Sequence, residues 1–225
     1  MTNMAQLTID QLSVSLAGSP ILRALSLQIH AGTTIAIVGR NGAGKTTLLR
    51  SIMGLIPSTS GTMQFGTHNL MHMPAHLRTG LGIGYAPEDR VIFPTLTVQE
   101  NLSLPCEVLN LSKHEIDKRL DYVLGIAPQL KTMLARSGAA LSGGQGKMVA
   151  LGRALMVGSA MVLLDEPFQG LAPALALQYS EALGRLRTSR PDLSVVITES
   201  NSSLLTDIPN RILTIERGSF VDATY

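Results

Sequence analysis

Residues Gly39 to Thr47 read GRNGAGKTT, three glycines at 39, 42 and 44 followed by a lysine and two threonines. Glycines at this spacing let successive backbone N–H groups curl around phosphate oxygens, and a helix starting there aims its positive end at the same charge. Lys45 is expected to reach the terminal phosphates of a nucleoside triphosphate, and the Thr46 hydroxyl to ligate Mg²⁺. Arg40, Asn41, Ala43 and Thr47 belong to the same phosphate-binding stretch. A second group is the carboxylate pair Asp165 and Glu166, directly after the apolar run Met161 to Leu164. One carboxylate in such a pair can neutralise a cation while its neighbour accepts a proton; the bland alternative is a solvated acidic pair at a strand end. A third is Leu141-Ser-Gly-Gly-Gln145. The Ser142 hydroxyl and the exposed amides of Gly143 and Gly144, at the start of another helix, make a second anion site.

The elements that must position these groups follow from periodicity. Leu7 to Val14 alternates as a strand, and Leu25, Leu27 and Ile29 repeat the pattern before Gly32. Thr34 to Val38 is a continuous apolar run, as a buried central strand requires. Gly39 ends it, and the spacing of Leu48, Leu49, Ile52 and Met53 predicts a helix over Thr46 to Leu55. From Thr97 to Leu155 the helical period dominates, with capping boxes expected at Thr97-Val-Gln-Glu100 and Ser112-Lys-His-Glu115. Pro128 and the Gly138 region punctuate that block, and a helix continues over Lys147 to Met156. Met161 to Leu164 and Leu193 to Thr198 read as buried strands, joined by a helix over Pro173 to Arg187 in a βαβ crossover. The outcome is an α/β nucleotide core with a helical subdomain inserted between phosphate loop and LSGGQ.

Composition narrows the function classes. A chain of 225 residues with 45% hydrophobic content buries a substantial core as one unit with a subdomain. Its formal charge of +2, without a basic run or aromatic-interleaved patch, gives no nucleic-acid footprint. The lone Cys106 fits a reducing compartment. The opening MTNMAQLTID lacks the regions of a secretion signal, and no apolar run approaches the roughly 20 residues needed to span a bilayer. Work at a membrane would require other chains to hold the protein there.

The phosphate loop, LSGGQ and MVLLDEP stand in the order found in ATP-binding cassette (ABC) ATPases, and the chain resembles that family from about Leu7 onward. The resemblance implies a RecA-like P-loop NTPase core with a small antiparallel β-subdomain (approximately 1–94 and 156–225) and a helical subdomain carrying the signature (95–155). It also implies that Glu166 polarises the attacking water, and that Ser142, Gly143, Gly144 and Gln145 face the γ-phosphate held by a second cassette. Phe168-Gln-Gly-Leu-Ala-Pro173, Tyr85-Ala-Pro-Glu-Asp-Arg90 and Thr198-Glu-Ser-Asn201 are similar to the smaller cassette of branched-chain amino-acid-type importers. Such a subunit uses ATP and Mg²⁺ on the cytoplasmic face of the membrane. Its partners are two permeases, a second and different cassette, and an extracytoplasmic solute-binding protein; nucleic acid is not among them. An exporter cassette and a non-transport cassette are the alternatives; a simple P-loop kinase or GTPase has no use for LSGGQ.

Three positions depart from the usual cassette pattern. Leu16 stands where an aromatic ring normally stacks on adenine, Glu88 replaces the glutamine of the metal-adjacent loop, and Ser200 replaces the histidine that contacts the γ-phosphate. These changes point to slower turnover of this chain's own ATP, its LSGGQ completing the faster site of a heterodimer. Val91, Ile92, Phe93 and Pro94 are expected to receive a permease helix, the alternative being that they pack into the subdomain core. His68, His72 and His76 would align on a helix as metal ligands, but Pro74 interrupts that helix and solvent-facing histidines are the plainer reading. Met71 and Met73 read as packing, and Asp117 to Asp121 as a solvated helix face.

Overall fold

A computed structural model describes residues 5–205 and 208–221. Residues 1–4, 206–207 and 222–225 lie outside them. Strands β1 (Ala5–Leu16) and β2 (Ser19–His30) form a hairpin whose two turn residues, Ala17 and Gly18, both have positive φ. That turn follows the right-handed twist of the paired strands. β3 (Thr34–Val38) leads through the glycine loop into α1 (Lys45–Ile52). The helix stops three residues short of the expected Leu55. Gly54 takes φ 73° and Leu55 N–H reaches back to Arg50 O at 2.8 Å, a glycine-terminated cap that closes the last turn.

β4 (Ser60–Phe65), β5 (His68–Asn69), α2 (Ala75–Gly80) and β6 (Ile83–Ala86) follow. The three histidines lie on β5, the turn after it and α2, with Pro74 capping α2, so they share no helix. Next come α3 (Val98–Val108), α4 (Lys113–Ile126) and α5 (Gly143–Val157). The Thr97 box is reciprocal, with Glu100 N–H on Thr97 Oγ1 at 3.2 Å and Thr97 N–H on Glu100 Oε2 at 2.7 Å. The Ser112 box is half made. Ser112 Oγ accepts from Glu115 N–H, but the Glu115 carboxylate turns to Arg119 Nε at 3.0 Å, a stronger charged partner one turn on.

β7 (Met161–Asp165), α6 (Pro173–Ser189) and β8 (Ser194–Glu199) form the βαβ unit read from the sequence, with β7 and β8 parallel neighbours. β9 (Arg211–Glu216) and β10 (Ser219–Val221) close the chain. Two sheets result: antiparallel β2-β1-β4-β5, and β10-β9-β3-β8-β7-β6, parallel except for β10. The central strands are buried on both faces. Ile35 and Ile37 of β3, with Met161 and Leu163 of β7, pack toward α1 and the antiparallel sheet. Ala36, Val162 and Leu164 pack toward α3 to α6. Their runs are therefore apolar throughout, because alternation has no solvent side to mark.

Candidate active site at the phosphate loop

The loop after β3 is shaped by backbone conformations that a side chain resists. Gly42 and Gly44 have φ 82° and 112°, and a Cβ at Gly44 would lie 2.8 Å from Leu22 Cδ2. Gly44 caps α1 without a side-chain bond, so first-turn N–H groups of the helix are directed at the loop's hollow. The ammonium of Lys45 lies inside the curl, donating to the carbonyls of Gly39 and Arg40 and meeting Glu166 Oε1 at 3.0 Å. The adjoining cleft, 270 Å³, is lined by Ile21, Asn41, Gly42, Gly44, Lys45, Thr46, Thr47, Glu88, Glu166 and Gln169. A larger hollow of 790 Å³ lies between the antiparallel sheet and β9–β10, but it contains no part of the phosphate loop.

Asp165 ends β7 with three hydroxyls around its carboxylate. Thr46 Oγ1 at 3.1 Å and Thr198 Oγ1 at 2.7 Å donate to Oδ1, and the Tyr85 hydroxyl at 3.1 Å donates to Oδ2. Burial pushes the Asp165 pKa up, against the pull of those hydrogen bonds. Burial, then the Asp165 charge, pushes the Tyr85 hydroxyl up as well, so it stays a donor.

Glu166 is 3% exposed and adopts φ 47°, left-handed backbone for a residue with a side chain. Its Oε2 accepts from Ser200 N–H at 3.0 Å and from Ser200 Oγ at 3.2 Å. The Lys147 ammonium, on α5, donates to the Glu166 carbonyl. Burial lowers the Lys147 pKa, while the carboxylates of Glu199, Glu88 and Glu166 oppose that shift.

The structure thus brings Lys45, Thr46, Thr47, Glu88, Asp165, Glu166 and Ser200 to one place, with the glycine loop. Leu16 is not among the cleft's lining; it sits at the tip of the β1–β2 hairpin, and the aliphatic group that lines the cleft is Ile21. Tyr85, Lys147 and Gln169 were not among the expected site residues, although Tyr85 and Gln169 stand in two of the phrases that resemble importer cassettes. A tyrosine two positions before Pro87, on the strand beside β7, was a signal for the first. The other two are placed by the packing of α5 and the turn after Glu166, which no local pattern announces.

Ser142 to Gln145 lie elsewhere, at the N-terminus of α5. Ser142 Oγ accepts from Gln145 N–H and Gln145 Oε1 from Ser142 N–H, a capping box. A Cβ at Gly144 would lie 2.4 Å from Leu175 Cδ1, so this turn packs closely against the start of α6.

The ABC transporter family profile matches residues 22–169, which hold the phosphate loop, LSGGQ and the Asp165–Glu166 pair. The chain belongs to the ABC transporter family. This cassette is 32% identical over 215 residues to the high-affinity branched-chain amino acid transport ATP-binding protein BraG of Pseudomonas aeruginosa, covering 96% of this chain and 91% of that one. It is 29% identical to the lipopolysaccharide export system ATP-binding protein LptB of Escherichia coli, covering 97% and 90%. Its fold superposes on the ADP conformation of the cassette MJ1267 with a TM-score of 0.81 at 23% identity, over 97% and 90% of the two chains. As an ABC-type ATPase it binds ATP and hydrolyses it. No helix among the described residues is long and apolar enough to cross a membrane.

Proposed function

We propose that this cassette holds ATP and Mg²⁺ at the phosphate loop, hydrolyses the nucleotide when a second cassette closes over it, and thereby drives uptake of a small solute. The reading rests first on one observation: Thr46 and Asp165, 119 positions apart, meet at 3.1 Å beside the Lys45–Glu166 pair. The Thr46 hydroxyl, the Asp165 carboxylate and Glu88 are a few hard oxygen donors, which suits Mg²⁺ completed by water and phosphate oxygens. Bound there, the cation would neutralise charge on the phosphates. Lys45 exchanges its Glu166 partner for phosphate oxygen, and Glu166, kept in place by Ser200, is then free to take the proton of the attacking water. Ser142, Gly143, Gly144 and Gln145 serve the ATP held by the partner cassette.

Uptake is favoured by the likeness to BraG, so branched-chain or other hydrophobic amino acids, or related amides and urea, are the proposed solutes. Two permease subunits, a distinct second cassette and an extracytoplasmic binding protein complete the complex, with this chain peripheral on the cytoplasmic face. Val91 and Phe93, 53% and 44% exposed, and exposed Pro94 form the proposed docking patch, while Ile92 is half-buried. The division into core (1–94 and 156–225) and signature-bearing helical subdomain (95–155) belongs to the same proposal. The test is a cysteine at exposed Thr95, read against buried Cys106, in the assembled transporter. Cross-links to the permeases and ATP-dependent leucine uptake are expected; cross-links only from residues 58–66 refute the docking face. Export is the second reading, favoured by the LptB likeness, and solute leaving the ATP-containing compartment would select it.

A further inference from the structure

The turn that carries Glu166 is held from several sides. Glu166 N–H donates to Thr198 O at 3.1 Å and Thr198 Oγ1 at 3.2 Å, and Lys147 takes its carbonyl. Two residues on, Phe168 N–H donates to Glu199 Oε1 at 2.8 Å. Those bonds offset the cost of a glutamate at φ 47°. Glu199, the last residue of β8, is 0% exposed; no N–H or O–H of the described residues donates to its Oε2, and its carboxyl is within hydrogen-bonding reach of Glu166. A carboxylate buried with a bare oxygen is expensive, so this group calls for an explanation.

The charged and titratable groups bearing on Glu199 are Glu166 from the turn, Lys147 from α5 and Tyr179 from α6. The two glutamates are treated unequally. Glu166 takes the Lys45 ammonium and both Ser200 donors. Glu199 has a single backbone donor and the more distant Lys147 charge. Where two carboxyl groups share a buried site, the less supported one keeps its proton.

Building on the assignment of Glu166 as the base, we propose that Glu199 is a positioning residue for ATP hydrolysis. As a neutral carboxyl it pins the Glu166 turn through Phe168. Burial first, and the Glu166 charge with it, pushes the Glu199 pKa from 4.5 up to about 8. A folded pKa raised above the unfolded one makes the contribution fully favourable below about pH 4.5, and it is lost as pH rises toward 8. Glutamine is permanently neutral and keeps the carbonyl that Phe168 needs.

Turnover in the assembled complex reads the positioning: E199A should lower kcat more than E199Q while KM for ATP holds. Equal kcat for the two variants overturns it. Thermal unfolding of the full chain, without nucleotide, reads the neutral carboxyl. The Tm of E199Q minus that of the parent should be more positive at pH 8.5 than at pH 5, by roughly 3 °C or more. E199A should melt below E199Q at both pH values, because Phe168 N–H loses its acceptor. A Tm difference between E199Q and parent that is the same at both pH values overturns the proposal. Turnover in the assembled complex separates this from the reading beneath it. If E166Q hydrolyses ATP at the parent rate, the assignment of Glu166 fails. If E166Q is slow and the E199Q offset ignores pH, only the role of Glu199 fails.

Discussion

The phosphate-loop cleft and the LSGGQ turn are both helix N-termini suited to anions, yet they are finished in opposite ways. At the start of α1 the cap is a glycine, and the charged groups beside it, Lys45, Asp165 and Glu166, are buried, Lys45 paired with Glu166 and Asp165 held by the Thr46 hydroxyl. At the start of α5 the cap is Ser142, satisfied by Gln145, and Ser142 and Gly143 are exposed. The first region contains the proposed base Glu166, the metal-suited oxygens of Thr46 and Asp165, and the Lys45 ammonium. The second is a reciprocal Ser142–Gln145 cap at the surface, without a buried charged cluster among the described residues. In the proposed function the first region does the chemistry and the second the recognition, each completed by another cassette. Breaking a group in the first region should change what this chain's own nucleotide does; breaking the second should change what the partner's does.

The largest effect on that contrast is expected from Lys45→Ala. It removes a charge-assisted donor from a buried site and leaves Glu166 Oε1 without its ion pair. ATP affinity of this chain should fall by about 100-fold or more, measured by nucleotide titration, and uptake by the complex should stop. Normal uptake would show that this cleft does not energise transport. Glu166→Gln comes next. The amide retains a polar contact for Ser200 but cannot accept the proton, so turnover at this site should drop by about 10²-fold or more while ATP binding persists. ATP-locked cassette pairs should accumulate, as seen by size and nucleotide content. Ser200→Ala is the smallest. The backbone N–H of residue 200 still donates to Glu166 Oε2, so the loss should stay within about 10-fold in steady-state turnover.

Much of this was legible in the chain because the strongest signals are local. GRNGAGKTT between an apolar run and a helical run specifies loop, strand and helix together, and β3 is found over Thr34–Val38 as read. The Thr97 box and the β7–α6–β8 crossover follow from equally short patterns. What escaped is non-local. β6 has only four residues, and Gly84 in it is required because a Cβ there would meet Ala154 O of α5 at 2.1 Å, a constraint invisible in the sequence alone. β9 and β10 gain strand character by pairing at the edge beside β3. In the site, Asp165 and Glu166 were readable from the apolar strand that ends in them. The three hydroxyls on Asp165 come from α1, β6 and β8, and only the fold assembles them. Ser200 was expected to face the nucleotide; its observed partner is the Glu166 carboxylate.

The division between the two regions is tested most directly by Ser142→Arg in the assembled transporter, with two readouts taken together. One is steady-state ATPase activity; the other is the nucleotide bound in this chain's own cleft, measured by photolabelling of the separated subunit. An arginine at the exposed cap places a long cation where the partner's phosphates approach, and it leaves the buried Lys45–Glu166–Asp165 cluster untouched. Turnover should fall by about 10-fold or more, a greater loss than Ser200→Ala causes, while this chain keeps its own nucleotide. Turnover that survives Ser142→Arg, or nucleotide lost from this chain's cleft, would contradict the account.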